Sequence, residues 1–327
     1  MTLSRGDVGS LFEGRRDYVD KRLTAFRAAV ADIGELRRCE GLCIYVTGSY
    51  RRGEASSHSD LDLFFVVDGP PIPKISKTLV DAALIRLSRE MRFPEFSDDA
   101  RYLEVHRLPE MLAEMGSPKD DASNYFTARL LLLLESRPIW ADDMYRNTLT
   151  KIVGAYFRDY HGHERAFLPV FLLNDIIRFW KTMCLNYEHK RNRRIDDRLK
   201  RNASHLRNLK LKYSRMLTCY STVALLAAHR PELTPESLPP LLVDSPTARL
   251  VKSAETTGAT ELAAQILEEY AWFLELTAQP KSDLLDWIED AANRDLAFSR
   301  ARQFGEMMFA FVSKAAEGTD LLRYALI

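Results

Sequence analysis

Cysteine is scarce: four residues in 327, at positions 39, 43, 184 and 219, with no Cys-x-x-Cys pair. A scaffold built on disulfides is excluded. No second pair follows Cys39 and Cys43 at zinc-ligand spacing, so reduced, buried thiols are expected. Long apolar runs are missing too: Leu130–Leu134 is a run of five, far short of the roughly 20 residues that span a bilayer. The opening residues, MTLSRGDVGSLFEGRRDYVDKR, hold no apolar leader core, so a cytoplasmic protein with no membrane partner is expected. Net charge is absent, with 46 Lys and Arg against 46 Asp and Glu, and the chain as a whole demands no acidic partner. Neither repeats nor low-complexity runs occur. What remains is an ordinary globular composition, 46% apolar and 28% charged, in a chain long enough for two domains or one large one.

Apolar periodicity predicts a helix within 10–38, followed by a short buried strand, LCIYVTG, at 42–48. A polar segment leads to a second strand, LDLFFVVDG, stopped by Gly69, Pro70 and Pro71. A helix is predicted over 74–91 and a third strand, RYLEVHRL, at 101–108. From Pro109 onward helices dominate, over 122–136, 142–160, 167–188, 200–229, 247–276, 281–299 and 302–316. Five of the 14 prolines fall in Pro231–Pro246, the clearest internal loop. The expected class is α+β: a small mixed sheet flanked by helices over 1–150, then a mostly α-helical domain over 151–327.

Chemistry concentrates in Thr47-Gly48-Ser49-Tyr50-Arg51-Arg52-Gly53-Glu54 and Ser59-Asp60-Leu61-Asp62-Leu63. Asp60 and Asp62 stand two apart in a strand, so both side chains leave one face while Leu61 and Leu63 point into the core. Adjacent carboxylates repel unless a cation lies between them, and such a pair suits Mg²⁺, with Mn²⁺ as a substitute. Gly48 and Ser49 end a strand and open a helix. Backbone N–H groups there, unobstructed by a Cβ on Gly48, can cradle a phosphate, and the Ser49 hydroxyl adds a donor. Arg51 or Arg52 can offset further phosphate charge, and Arg52 is assigned to the nucleotide. Phosphate grip and paired aspartates thus follow in the order that metal-assisted phosphoryl chemistry requires.

GSYRRGEASSHSDLDLFF resembles the hG[GS]…Dh[DE]h signature of the DNA polymerase β-type nucleotidyltransferase superfamily, where h is an apolar residue. Its wording is most like the minimal nucleotidyltransferases and the bacterial signal-protein uridylyltransferases. DASNYFTARLLLLLESRPIW (121–140) is similar to the helix after the catalytic sheet in the latter branch. The resemblance implies that Gly48 and Ser49 bind the triphosphate of an NTP, ATP by default, and that Asp60 and Asp62 hold Mg²⁺. It also implies a third carboxylate on a later strand that shares the metal and takes the acceptor's proton. Glu104 is the candidate, with Tyr102 and His106 on its face; a solvated strand residue is the other reading of it. Asp98, Asp99, Asp120 and Asp121 are rivals. The implied activity transfers a nucleoside monophosphate to an RNA, nucleotide, protein or small hydroxylated acceptor. The alternative is a low-turnover nucleotide-binding regulatory or antitoxin-like module.

In the helical half, Asn174, Arg178 and Lys181 share one face of an otherwise apolar helix, placing Arg178 and Lys181 among the nucleotide-binding candidates. An internal Asp175–Arg178 pair is the competing reading. Lys190–Arg215 holds eleven Lys and Arg against Asp196 and Asp197. It is a candidate surface for RNA or another polyanion, or simply a solvated face. Arg198 and His205 also fit the Arg-x4–6-His spacing of HEPN ribonucleases, a pattern that so basic a stretch produces by composition.

Overall fold

The computed structural model describes residues 5–96, 103–191 and 197–326. The chain begins with α1 (Arg5–Ala31), a 3₁₀ turn (Gly34–Arg38), β1 (Leu42–Thr47), α2 (Gly48–Arg52), β2 (Asp62–Val67) and α3 (Lys74–Glu90). Next come β3 (Val105–Arg107), α4 (Leu108–Ala113), α5 (Pro118–Ala122), α6 (Tyr125–Leu134), β4 (Arg137–Trp140) and α7 (Asp142–Tyr156). The remainder is helical: α8 (Val170–Arg191), α9 (Arg198–Lys210), a π-helical turn (Leu211–Arg215), α10 (Met216–Ala228) and α11 (Leu238–Leu242). It closes with α12 (Pro246–Thr257), α13 (Thr260–Leu276), α14 (Lys281–Glu289), α15 (Ala291–Ala315) and α16 (Leu321–Leu326). As expected, a small mixed sheet with helices precedes a mostly helical remainder. Two compact units result. A sheet unit comprises Phe12–Arg158 with Thr234–Ser245; a helical unit takes Asp159–Leu233, the chain from Pro246 on, and the residues up to Leu11.

The sheet runs β3-β2-β1-β4, with β1 antiparallel to β2 and β4, and β2 parallel to β3. Period-2 alternation sorts its two faces. Leu42, Ile44 and Val46 of β1, with Leu63 and Phe65 of β2, join Val19, Leu23, Phe26 and Val30 of α1 and Val80 and Leu84 of α3 in one buried core. The α1 residues recur at helical spacing, which is why this long helix lies along the sheet. On the opposite face Tyr45 stacks on Phe64 at 5.8 Å and donates its hydroxyl to the Ala128 carbonyl of α6. Three of the four thiols are buried and none forms a disulfide. Burial pushes the Cys43 thiol up to about 12.

Two strands differ from expectation. β3 is only three residues long within the described part of the predicted 101–108 strand. β4 falls where the sequence pattern predicts none; it is short, contains Pro138 and pairs at the sheet edge, where a missing N–H is tolerated.

In the helical unit α10 is buried along nearly its whole length, and α12 and α15 pack against it. The π turn directs Tyr213 inward, where its hydroxyl donates to Glu269 at 2.8 Å. Arg300 grips both Glu269 oxygens at 2.8 Å and lies over the Trp272 ring. The predicted helix 247–276 breaks at Gly258, whose φ of +70° ends α12 in the left-handed region that glycine favours. The predicted break near residue 300 lies instead at Asp290, whose carboxylate accepts the Asn293 N–H and caps α15. Among the described residues no helix is long and apolar enough to cross a membrane.

Candidate nucleotide site

Antiparallel pairing sets Thr47, the last residue of β1, opposite Asp62, the first of β2. The residue after Thr47 therefore meets the Asp62 side chain. That residue is Gly48, with φ +68°, and a Cβ placed there would come within 2.8 Å of Asp62 Oδ2. Two constraints select glycine here, a left-handed backbone and a carboxylate packed against the Cα. Ser49, half-buried, follows in α2. Because α2 is a single turn of five residues, donation to an anion would come from local N–H groups and the Ser49 hydroxyl, with little macrodipole to add.

Asp62 is half-buried and Asp60 exposed, while Leu61 and Leu63 between and beyond them are buried, at 2% and 0% exposure. The alternation expected of the pair holds, although Asp60 lies just ahead of β2 and not within it. A serine-built turn leads into it: Ser59 N–H donates to the Ser56 carbonyl at 3.1 Å and Ser56 N–H to Ser59 Oγ at 3.0 Å. Two carboxylates, one at the start of β2 beside Gly48 and one two residues ahead of it, offer hard oxygen ligands next to the N–H groups that open α2. That donor set fits a Mg²⁺ ion, which takes one or two protein carboxylates and keeps the rest of its sites for water and substrate oxygens.

The side chains of α2 hold it in the core. Tyr50 meets Phe93 edge-on at 5.5 Å. Arg52 donates Nε to Glu54 at 2.7 Å and Nη1 to Glu135 at 2.6 Å, all three side chains being at most 7% exposed. Its guanidinium is thus engaged by two internal carboxylates. Gly53, at φ +73°, ends the turn, and its N–H and that of Glu54 both donate to the Ser49 carbonyl. Glu54 is part of the Arg-Gly-Glu wording in the sequence, whereas nothing in the sequence marks Glu135 as the second partner.

The third-carboxylate candidates separate. Glu104 is exposed, one residue ahead of β3. The β2–β3 pairing begins after it, at Val105 opposite Phe65, and Glu104 lines a pocket with Ile72, Lys74 and Lys77. Among the described residues, no three or more His, Cys, Asp or Glu side chains are gathered to hold a metal, so Glu104 is not brought into one cluster with Asp60 and Asp62. Asp120 is fully buried and gives both oxygens to Arg129, at 2.8 and 2.7 Å. It serves the core. Asp121 is exposed on α5, and Asp98 and Asp99 lie outside the described residues, as does Tyr102. His106 is buried against Tyr125, and burial lowers its pKa while Glu104 pulls it up.

Arg178 and Lys181 belong to the helical unit. Arg178 Nε lies 3.5 Å from the buried Asp175 carboxylate one turn earlier on α8, and Lys181 is exposed. On α9, Arg198 pairs with Glu289 at 2.9 Å, and His205 packs against Phe298. Lys200, Arg201, Arg207 and Lys210 are exposed. Arg193, Arg194 and Asp196 of the basic segment lie outside the described residues.

A search of curated proteins finds no match to the chain. Residues 32–129, just under a third of the chain, match the nucleotidyltransferase domain family. They contain β1, α2, β2 and β3, with the Gly48–Ser49 turn and the Asp60–Asp62 pair. The match is to a nucleotidyltransferase domain, the same superfamily that the Gly48–Ser49 and Asp60–Asp62 motif resembles.

Proposed function

We propose that the protein transfers a nucleoside monophosphate from an NTP to an acceptor hydroxyl and releases pyrophosphate. The observation that carries this is Gly48 against Asp62 at the paired ends of β1 and β2, inside a segment that matches the family. The Gly48–Ser49 turn binds the triphosphate, and ATP is the donor by abundance alone. Asp60 and Asp62 hold a Mg²⁺ ion, for which Mn²⁺ can substitute. When bound, the metal offsets charge that develops on the phosphate oxygens. The acceptor oxygen bonds to the α-phosphorus as the bond between that phosphorus and the α–β bridging oxygen breaks. Glu104, the exposed carboxylate just ahead of β3, takes the hydroxyl proton. Arg52, bound to Glu54 and Glu135, contributes by fixing α2, and it remains a proposed nucleotide contact.

For the acceptor, the basic stretch through α9 favours a polyanion, with RNA first, over an uncharged small molecule. The cytoplasm is the proposed location. Single-stranded RNA binding measured across a salt series tests the acceptor. Replacing Lys200, Arg201 and Arg207 by Ala should flatten the slope of log affinity against log salt by about two, at roughly 0.7 for each phosphate no longer neutralised. An unchanged slope removes α9 from the acceptor surface.

Gly48→Ala is expected to keep the fold while displacing the Asp62 carboxylate, since the new methyl meets Oδ2. The left-handed φ adds about 1–2 kcal/mol of strain, and transfer should drop by about a hundredfold or more. Full activity in that variant would show that the close approach has no role. The ungathered third carboxylate also suits a low-turnover binding module. Calorimetry separates the two: tight Mg²⁺-dependent NTP binding without pyrophosphate release, with the acceptor present, identifies the module. The decisive assay incubates the protein with labelled NTPs, Mg²⁺ and cell extract, and compares label transfer with an Asp60→Asn, Asp62→Asn double variant.

A further inference from the structure

A five-residue helix has no stability of its own, so whatever grips α2 also sets the turn at its start. Two of its grips, Tyr50 and Arg52, act through the surrounding core. The third reaches a part of the chain about 190 residues away. Arg51 Nη2 donates to the carbonyl oxygens of Val243 at 2.6 Å and Asp244 at 2.9 Å, with a longer contact to Leu242 at 3.4 Å. These carbonyls lie at the C-terminal end of α11, where helix geometry leaves acceptors without internal partners. The guanidinium caps that end, tying Thr234–Ser245 into the sheet unit.

The arrangement is costly for a purely structural tether. Arg51 is only 7% exposed, its Nε has no partner, and among the described residues no carboxylate pairs with it. Burial, the largest influence, pushes its guanidinium below the usual arginine range, and Glu135 and Asp244 counteract that from a distance. A buried cation satisfied by carbonyls alone is a poor source of stability compared with an apolar side chain of the same volume. Its position offers another use, two residues after Ser49 in the same single turn.

We propose that Arg51 is a positioning residue for the nucleotide: by fastening α2 to the end of α11, it sets the direction of the Gly48–Ser49 N–H and hydroxyl donors toward the triphosphate. This rests on the assignment of the Gly48–Ser49 turn to nucleotide binding. The segment Thr234–Ser245 thereby becomes part of the nucleotide site without touching the nucleotide.

The test measures the Kd for Mg-ATP by calorimetry on the full chain, at a temperature where each variant is folded by circular dichroism. Arg51→Met is expected to raise Kd about tenfold or more. Leu84→Ala, a loss of comparable size in the core of the same unit but on α3, is expected to lower the melting temperature and leave Kd within about twofold of the wild type. Should Arg51→Met fail to fold, Arg51→Lys carries the test. Its compact ammonium cannot reproduce the planar fork, and a Kd raised about three- to tenfold is expected. A wild-type Kd in the folded Arg51 variant overturns the inference alone, as does an equal rise in Leu84→Ala. Absence of Mg-ATP binding by the wild type overturns the nucleotide assignment itself, and this inference with it.

Discussion

Asp62→Asn is expected to reduce nucleotidyl transfer by about a thousandfold or more while changing stability by no more than about 1 kcal/mol. The two effects separate because of where the residue sits. Asp62 is the first residue of β2, half-buried, and the strand's anchoring is done by Leu61, Leu63 and Phe65 on the other face. Asparagine keeps the shape and one acceptor oxygen but removes the charge that a divalent cation needs beside Asp60. Label transfer and a thermal melt on the same preparation check both halves. Undiminished transfer would mean that the pair holds no metal needed for the reaction.

Arg129→Met is expected to cost about 3–5 kcal/mol of stability, because it leaves Asp120 buried with its charge unpaired. Both side chains have 0% exposure. Arg129 donates to both Asp120 oxygens and, through Nε, to the Tyr156 hydroxyl at 2.9 Å. Burial works against the arginine's charge, but Asp120 and Tyr156 more than offset it and hold its pKa above the usual value. The pair joins α5 to α6, with Tyr156 bringing in α7. An Arg129→Met, Asp120→Leu double variant should recover most of the loss, since replacing both partners removes the stranded charge. Denaturant midpoints for the two single variants and the double variant measure the coupling. A single-variant loss under about 1 kcal/mol would mean that water reaches the pair.

The strand–turn–strand frame around Gly48 and Asp62 is legible in the sequence because local rules converge there. Two runs of β-forming residues flank a glycine, and the spacing of Asp60 and Asp62 fixes which way their neighbours face. Partners distant in sequence are another matter. Asp120 looks like any acid in a polar stretch until Arg129, inside a leucine-rich helix, closes on it. Glu135 gives no sign that Arg52 will reach it. β4 is hidden because Pro138 argues against a strand, and its pairing with β1 shifts register between Ile44 and Tyr45. The prolines of 231–246 read as a loop, yet Pro239 and Pro240 sit in the first turn of α11, where a missing N–H costs nothing. Gly258 carries the mark of a helix end, but apolar periodicity continuing on both sides conceals it.

The most direct test is a crystal of the protein grown with Mn²⁺ and a non-hydrolysable NTP, with the metal located by its anomalous signal. The account predicts Mn²⁺ bonded to carboxylate oxygens of both Asp60 and Asp62, at about 2.0–2.3 Å. It also predicts the triphosphate against the backbone of Gly48 and Ser49. A metal bound elsewhere, or a nucleotide held away from that turn, would contradict it.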